Sequence, residues 1–257
     1  MLDRLAEAGR TGLSALHFAG VGVGIVVSAA LVSGLLEGGG DWIAMWWVSG
    51  AVSLVGVLAV GLLVPGVPHR RAVVPPARSA ASDPRLRRMT VAYGLFGFGY
   101  VITATFLVAI VRASPAIRDL EPVIWIVVGL AAAPSVLFWT VLSRRIGIPS
   151  AFAAAALAEA VGVLASVVWP SLVGICTAAV LVGGTFMGLT ALGLMRGREL
   201  ASGDSRHVMA AMSAAFGVGQ IVGPLVAGVV SDMTGGFGVP SVAAAGALVV
   251  AAWLARR

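Results

Sequence analysis

Eight long apolar stretches divide this sequence, at roughly 13–35, 42–65, 89–111, 123–142, 150–169, 172–195, 208–231 and 237–255, and its arginines fall almost wholly on alternate breaks between them. One set of breaks carries Arg4 and Arg10, then Arg70, Arg71, Arg78, Arg85, Arg87 and Arg88, then Arg144 and Arg145, then Arg196, Arg198 and Arg206, and finally Arg256 and Arg257. The other set (36–41, 112–122, 170–171 and 232–236) holds only Arg112 and Arg118. Fifteen against two is the split that the positive-inside rule produces in a polytopic membrane protein, and it places both termini in the cytoplasm. Each stretch is near or above the roughly 20 apolar residues needed to cross a hydrocarbon core as a helix. Lipid offers backbone amides no partner, so only helices or closed barrels can span it, and the period-2 alternation of a barrel strand is absent. The sequence therefore predicts an all-α integral membrane protein with eight transmembrane helices.

Composition agrees. Apolar residues make up 59% of the chain and charged residues only 11%, whereas a soluble domain carries about 25% charged residues. A pI near 11.2 could suggest a nucleic-acid binder, but the basic residues sit in short breaks beside apolar spans, where topology explains them better. Every one of the 17 basic side chains is arginine. The single cysteine, Cys176, lies inside a span, so no disulfide framework is possible. The first apolar stretch is too long for the core of a signal peptide and reads as a retained helix.

Two spans precede a polar break at 66–88 and six follow it, dividing the chain into 1–65, 66–88 and 89–257. Prolines 68, 75, 76 and 84 and six arginines mark the break as a cytoplasmic linker lying on the anionic leaflet. The other breaks are short, so successive helices form antiparallel hairpins. Gly20 and Gly24, Gly184 and Gly188, and Gly219 and Gly223 are each four apart, so each pair shares a helix face that could admit a neighbouring backbone. Tryptophans 42, 125, 169 and 253 fall near span ends, as interfacial anchors do.

Three segments resemble the major facilitator superfamily, within it the YbfB/YjiJ-like transporters. His17–Phe18–Ala19–Gly20–Val21–Gly22–Val23–Gly24 is similar to that branch's fifth helix. Tyr93–Gly94–Leu95–Phe96–Gly97–Phe98–Gly99–Tyr100, followed by Thr103 and Thr105, is similar to its seventh. Gly219–Gln220–Ile221–Val222–Gly223–Pro224, then Gly228 and Asp232, is similar to its eleventh. The resemblance implies a partial facilitator fold, helices 5–12 of 12. On that reading 13–65 supplies helices five and six, 89–257 the C-terminal six-helix bundle, and 1–10 the tail of helix four. The missing half would come from absent N-terminal helices or from a homodimer. The resemblance also implies a gating loop after the bundle's second helix, usually acidic–Arg–x–Gly. Here it reads Ser143–Arg144–Arg145–Ile146–Gly147, so Arg145 and Gly147 are kept while Arg144 stands where the acid would be. Arg145 then has a helix C-terminus or Asp232 as a partner, or is only a topology signal.

No catalytic constellation is visible. His17, His69 and His207 are scattered, without metal-ligand spacing, and no Walker sequence marks an ATP motor. Neither a metal nor another cofactor is implied. Glu159 is the deepest charged residue, ten residues into its span. An ionised carboxylate at mid-membrane costs about 2.5–3.5 kcal/mol on insertion scales, so the group is paired, protonated or wet. That makes it a candidate for proton coupling, with protonated packing as the alternative. Tyr93, Phe96, Tyr100 and Thr103 recur at three- or four-residue intervals, a stripe able to hold a small organic solute by stacking and hydrogen bonds, or else simply to pack. Gln220 and His17 are lesser candidates. The function expected is secondary active transport of a small organic solute by alternating access, ion-coupled, from the cell's inner membrane. A non-transporting assembly or sensor subunit, or an inactive fragment of a transporter, is the alternative. A membrane-embedded enzyme would show polar residues clustered at one depth, and the sequence suggests none.

Overall fold

The computed structural model describes residues 11–63 and 83–257 apart from 114, 116, 122, 203 and 204, and the side chains of these residues except those of 11–17 and 119. The described chain is helical throughout, with no strand: α1 (Thr11–Glu37), α2 (Trp42–Leu63), α3 (Pro84–Ala113), a 3-10 turn (Arg118–Leu120), α4 (Ile124–Ile146), α5 (Ile148–Val168), α6 (Leu172–Leu200), α7 (Ser205–Thr234) and α8 (Gly238–Arg256). Among the described residues all eight helices are long and apolar enough to cross a bilayer. The all-α, eight-span expectation therefore holds. The linker reading of 66–88 falls mostly outside the described residues, as do 1–10 and the side chain of His17.

Local chemistry sets the helix ends. Asp83 caps α3, its carboxylate accepting from the Arg85 amide at 2.7 Å, and Pro84 sits at the first helical position, where a missing N–H costs nothing. α3 thus starts five residues before its apolar stretch, and Arg85, Arg87 and Arg88 ride on its first turns. Asp41 caps α2 in the same way, accepting from Ala44 at 2.8 Å, and Ser171 caps α6 through Gly174. Gly147 closes α4 and opens α5 with φ of +83°, a conformation that disfavours any side chain.

Short connections force the helices to alternate, so the starts of α3, α5 and α7 share one end with the ends of α4, α6 and α8. There Arg88 donates to the Arg257 carbonyl at 2.8 Å, and the Arg257 guanidinium lies 4.5 Å over the Trp253 ring. At the far end Arg112 pairs with Glu121. The Arg112 guanidinium, and to a lesser degree Arg118, holds the Glu121 carboxyl below the usual carboxylate range.

Helices α3 to α8 pack as a bundle in which α3 lies against α7 and α8, α6 against α4 and α5, and α5 against α8. Small residues make this possible, since helices in lipid associate by close van der Waals fit. A Cβ at Gly219 would strike the α3 backbone at Gly94 and Phe98, one at Gly223 the Phe98 carbonyl, and one at Gly188 the Trp139 ring. Trp139 in turn donates its indole N–H to the Gly184 carbonyl at 2.7 Å. Two of the three glycine pairs thus serve packing. The third does not: Gly20 and Gly24 face open space, and the intervening Gly22 carries the contact, set against Gly129 and Ala133 of α4. α1 joins the bundle through this seam with α4. α2 leans chiefly on α1 and buries no residue.

Candidate functional site

The bundle's centre is aromatic. Glycines on α3 (Gly94, Gly97) let α7 approach closely enough to bring Phe216 onto the α3 stripe. Its ring centroid lies 5.2 Å from Tyr93, 5.3 Å from Phe96 and 5.7 Å from Tyr100. Phe96 also meets Phe152 of α5 edge-on at 6.4 Å. Tyr100 lies nearly parallel to Phe216 and to Phe186 of α6, the latter 5.9 Å away. Gln220 of α7 donates its amide N–H to the Tyr100 hydroxyl at 2.6 Å. Such stacked, offset rings are worth about 0.5–1.5 kcal/mol per pair beyond area burial.

The stripe proposed for solute contact is therefore divided. Tyr93, Phe96 and Thr103 are 2%, 0% and 0% exposed, packed within the bundle. Tyr93 reaches no solvent because α6 offers it Gly193, where a Cβ would strike the ring, and its hydroxyl donates to the Thr190 carbonyl at 3.4 Å. The three-to-four spacing that aligns these side chains on one face does not by itself set how deeply each is buried. Tyr100 alone of the four is half-buried. It borders a cavity of about 200 Å³ lined also by Ile25, Leu107, Trp125, Val128 and Phe186. Ile25 and Trp125 are shared with a larger crevice of about 910 Å³ between α1 and the ends of α3 and α4, whose polar lining comprises Ser28, Ser33, Arg112, Arg118 and Glu121. The smaller cavity thus adjoins the crevice at Ile25 and Trp125 and is bordered by Tyr100, which Gln220 holds.

The gating candidates separate. Arg145 and Gly147 lie exposed at the arginine-rich end of α4, whereas Asp232 is exposed near the end of α7, at the opposite end of the bundle. Alternation of the connecting helices precludes a charge pair between Arg145 and Asp232. Gly147 is held by its backbone angle and by its amide, which donates to the Ser143 carbonyl at 2.9 Å.

Glu159 is 0% exposed on α5. Neither carboxyl oxygen has a hydrogen-bond partner, a condition shared among the described residues by the Thr103 and Ser241 hydroxyls. Among the described residues no group of three His, Cys, Asp or Glu side chains gathers as metal ligands would. Sequence reasoning missed Phe152, Phe186 and Phe216. The available signal was isolation, since each is a lone aromatic in a run of Ala, Gly and Thr, where one large ring must fill the space its neighbours leave.

The family profile described as "Uncharacterised MFS-type transporter YbfB" matches residues 1–256. No curated protein matches the chain. Among solved structures, the E. coli fucose:proton symporter FucP, crystallised as a single-substitution variant, superposes with a TM-score of 0.62 at 16% identity, over 80% of this chain and 52% of that one. The chain thus spans about half the length of that symporter, and at this identity the likeness speaks for the fold alone. With the family matched end to end and the fold of a facilitator in place, this chain belongs to the YbfB-type family of the major facilitator superfamily.

Proposed function

We propose that this chain is the α1–α8 portion of a secondary active transporter that moves a small organic solute by alternating access, coupled to an ion. One observation carries the reading. A half-buried tyrosine is stacked on two phenylalanines and hydrogen-bonded by an amide, at a small cavity that shares Ile25 and Trp125 with a larger crevice. Pockets for small solutes combine apolar walls with a few convergent polar groups, and Tyr100 with Gln220 supplies them here. Phe186 and Trp125 extend the apolar wall. Tyr93, Phe96 and Thr103 then back the site from within the bundle. Glu159 carries the coupling proton, and the Arg144–Gly147 turn hinges the arginine-rich end during the access change. The wall facing the crevice on its open side belongs to a partner half, either further helices of the same polypeptide or a second copy of the chain.

Removing the amide tests the solute site. Gln220→Leu is expected to weaken solute binding about tenfold, because one buried hydrogen bond is lost and the Tyr100 hydroxyl is orphaned. Isothermal titration against a panel of solutes measures it, with Val218→Leu, 60% exposed on the same helix, as the control. Equal affinity in both variants would remove Gln220 from the site. Binding with no uptake by any assembled form of the protein would favour a sensor subunit instead.

Topology is the second expectation. The arginine-rich end, the 66–88 break and both termini face the cytoplasm, and the Arg112–Glu121 end faces out. Single cysteines at 72, 146 and 235 in a Cys176→Ala background, challenged with an impermeant thiol reagent in intact cells, should label only at 235. Labelling at 72 from outside reverses the orientation.

A further inference from the structure

Contacts along three helices bring the unpartnered polar groups to one level. On α3, Thr103 lies between Gly99, where an added Cβ would meet Leu248 and the Ala244 carbonyl, and Phe106, whose ring lies 4.8 Å from that of Phe237. α8 runs antiparallel to α3, so the residue between Phe237 and Ala244 on that same face, Ser241, stands opposite Thr103. α5 runs parallel to α3, and Phe152 meets Phe96 edge-on. Seven residues onward on each helix, about 10 Å along both axes, come Glu159 and Thr103. Each pair spans two helical turns, which keeps it on one face. The three side chains are 0%, 0% and 1% exposed, on helices that pack against one another, and they own every buried, unpartnered side-chain polar atom among the described residues.

We infer that Glu159, Thr103 and Ser241 form a buried site for a small monovalent cation, a proton or sodium. A buried polar atom left without a partner costs about 1–3 kcal/mol, and several at one level point to a common ligand. A carboxyl and two hydroxyls form an all-oxygen set, the donor type that hard cations take. Among the described residues no cationic side chain lies within the spans that pack against Glu159. On the helices packed against α5 (α3, α4, α6 and α8), the titratable groups within the spans are Tyr93, Tyr100 and Cys176, none of them cationic. The arginines 85, 87, 88, 112, 144, 145, 196, 198 and 256, and Glu199, lie at the helix ends. Glu159 is therefore neutralised by a mobile cation or not at all.

This deepens the coupling role proposed for Glu159 and rests on it for its purpose, so the test is binding by the purified chain in nanodiscs, independent of uptake. Infrared difference spectroscopy at neutral pH reads the carboxyl, and equilibrium binding of radioactive sodium reads the alternative. A protonated-carboxyl band that disappears in Glu159→Gln and changes frequency in Thr103→Val and Ser241→Ala identifies the proton. Saturable sodium binding, lost in Glu159→Gln and weakened about tenfold in the hydroxyl variants, identifies sodium. Thr103→Ser, which keeps the hydroxyl, must restore the wild-type signal and so separates ligation from packing. An ionised carboxylate with no sodium bound, or a signal indifferent to both hydroxyl deletions, overturns the site.

Discussion

Glu159→Gln is expected to reduce proton-gradient-driven uptake by the assembled transporter to the level of empty liposomes, while solute counterflow stays within about twofold of wild type. The substitution preserves shape, since the amide fills the same fully buried volume on α5. It removes only the capacity to release and rebind a proton. An ionised carboxylate held without a partner at this depth costs several kcal/mol, so the group exchanges its proton only when a conformational change brings water or a base to it. That requirement links protonation to the access cycle. Counterflow needs no net proton movement and should survive. Reconstituted vesicles with an imposed pH gradient, assayed beside equilibrium exchange, separate the two. Wild-type gradient-driven accumulation by Glu159→Gln would return the residue to a packing role. Loss of both activities would point to a folding defect instead.

The sequence carried the architecture further than the site. Arginine asymmetry and span length rest on the bilayer, an environment whose demands act on each helix separately and are thus readable one segment at a time. Helix-facing decisions depend on neighbours. The Gly20–Gly24 pair has the spacing of a packing face, yet the residue against α4 is Gly22, because the seam follows the direction from which α4 arrives. Tyr93 and Tyr100 belong to one stripe, yet Gly193 opens a niche for the first and a small cavity borders the second. Alternation alone sets Arg145 and Asp232 at opposite ends of the bundle, which counting the spans already contained. Thr103 and Ser241 were separately unremarkable hydroxyls. The α3–α8 register sets Ser241 opposite Thr103 and the α3–α5 pairing of Phe96 with Phe152 relates Thr103 to Glu159, and neither register can be read from one helix at a time.

The largest structural effect is expected at the α1–α4 seam. Gly129→Val should detach α1 from the bundle and abolish the crevice. At this crossing backbone meets backbone: a Cβ on Gly129 would lie 2.8 Å from the Gly22 carbonyl oxygen and 2.9 Å from the Val26 amide nitrogen. No side-chain rotation relieves those contacts, so the helices themselves must separate. Overpacking where side chains can adjust already costs about 1–3 kcal/mol, and here the displaced element has little else to hold it. Beyond the seam, Phe18 packs against the small cluster of Val136, Met187 and Ala191, and α2 contributes no buried residue. Moving α1 takes Ile25, Ser28 and Ser33 from the crevice wall, so solute binding should be lost with it. Cysteines replacing Ile25 and Trp125, which line the same cavity, report the distance through a bifunctional thiol reagent in a Cys176→Ala background. Cross-linking should be efficient in the parent and absent in Gly129→Val. Gly20→Ala and Gly24→Ala are the controls, since a Cβ at either meets nothing within 4 Å and alanine favours the helix by about 1 kcal/mol. Cross-linking that persists in Gly129→Val would mean that α1 is held by contacts other than this seam, and the crevice would then have to be rebuilt from those.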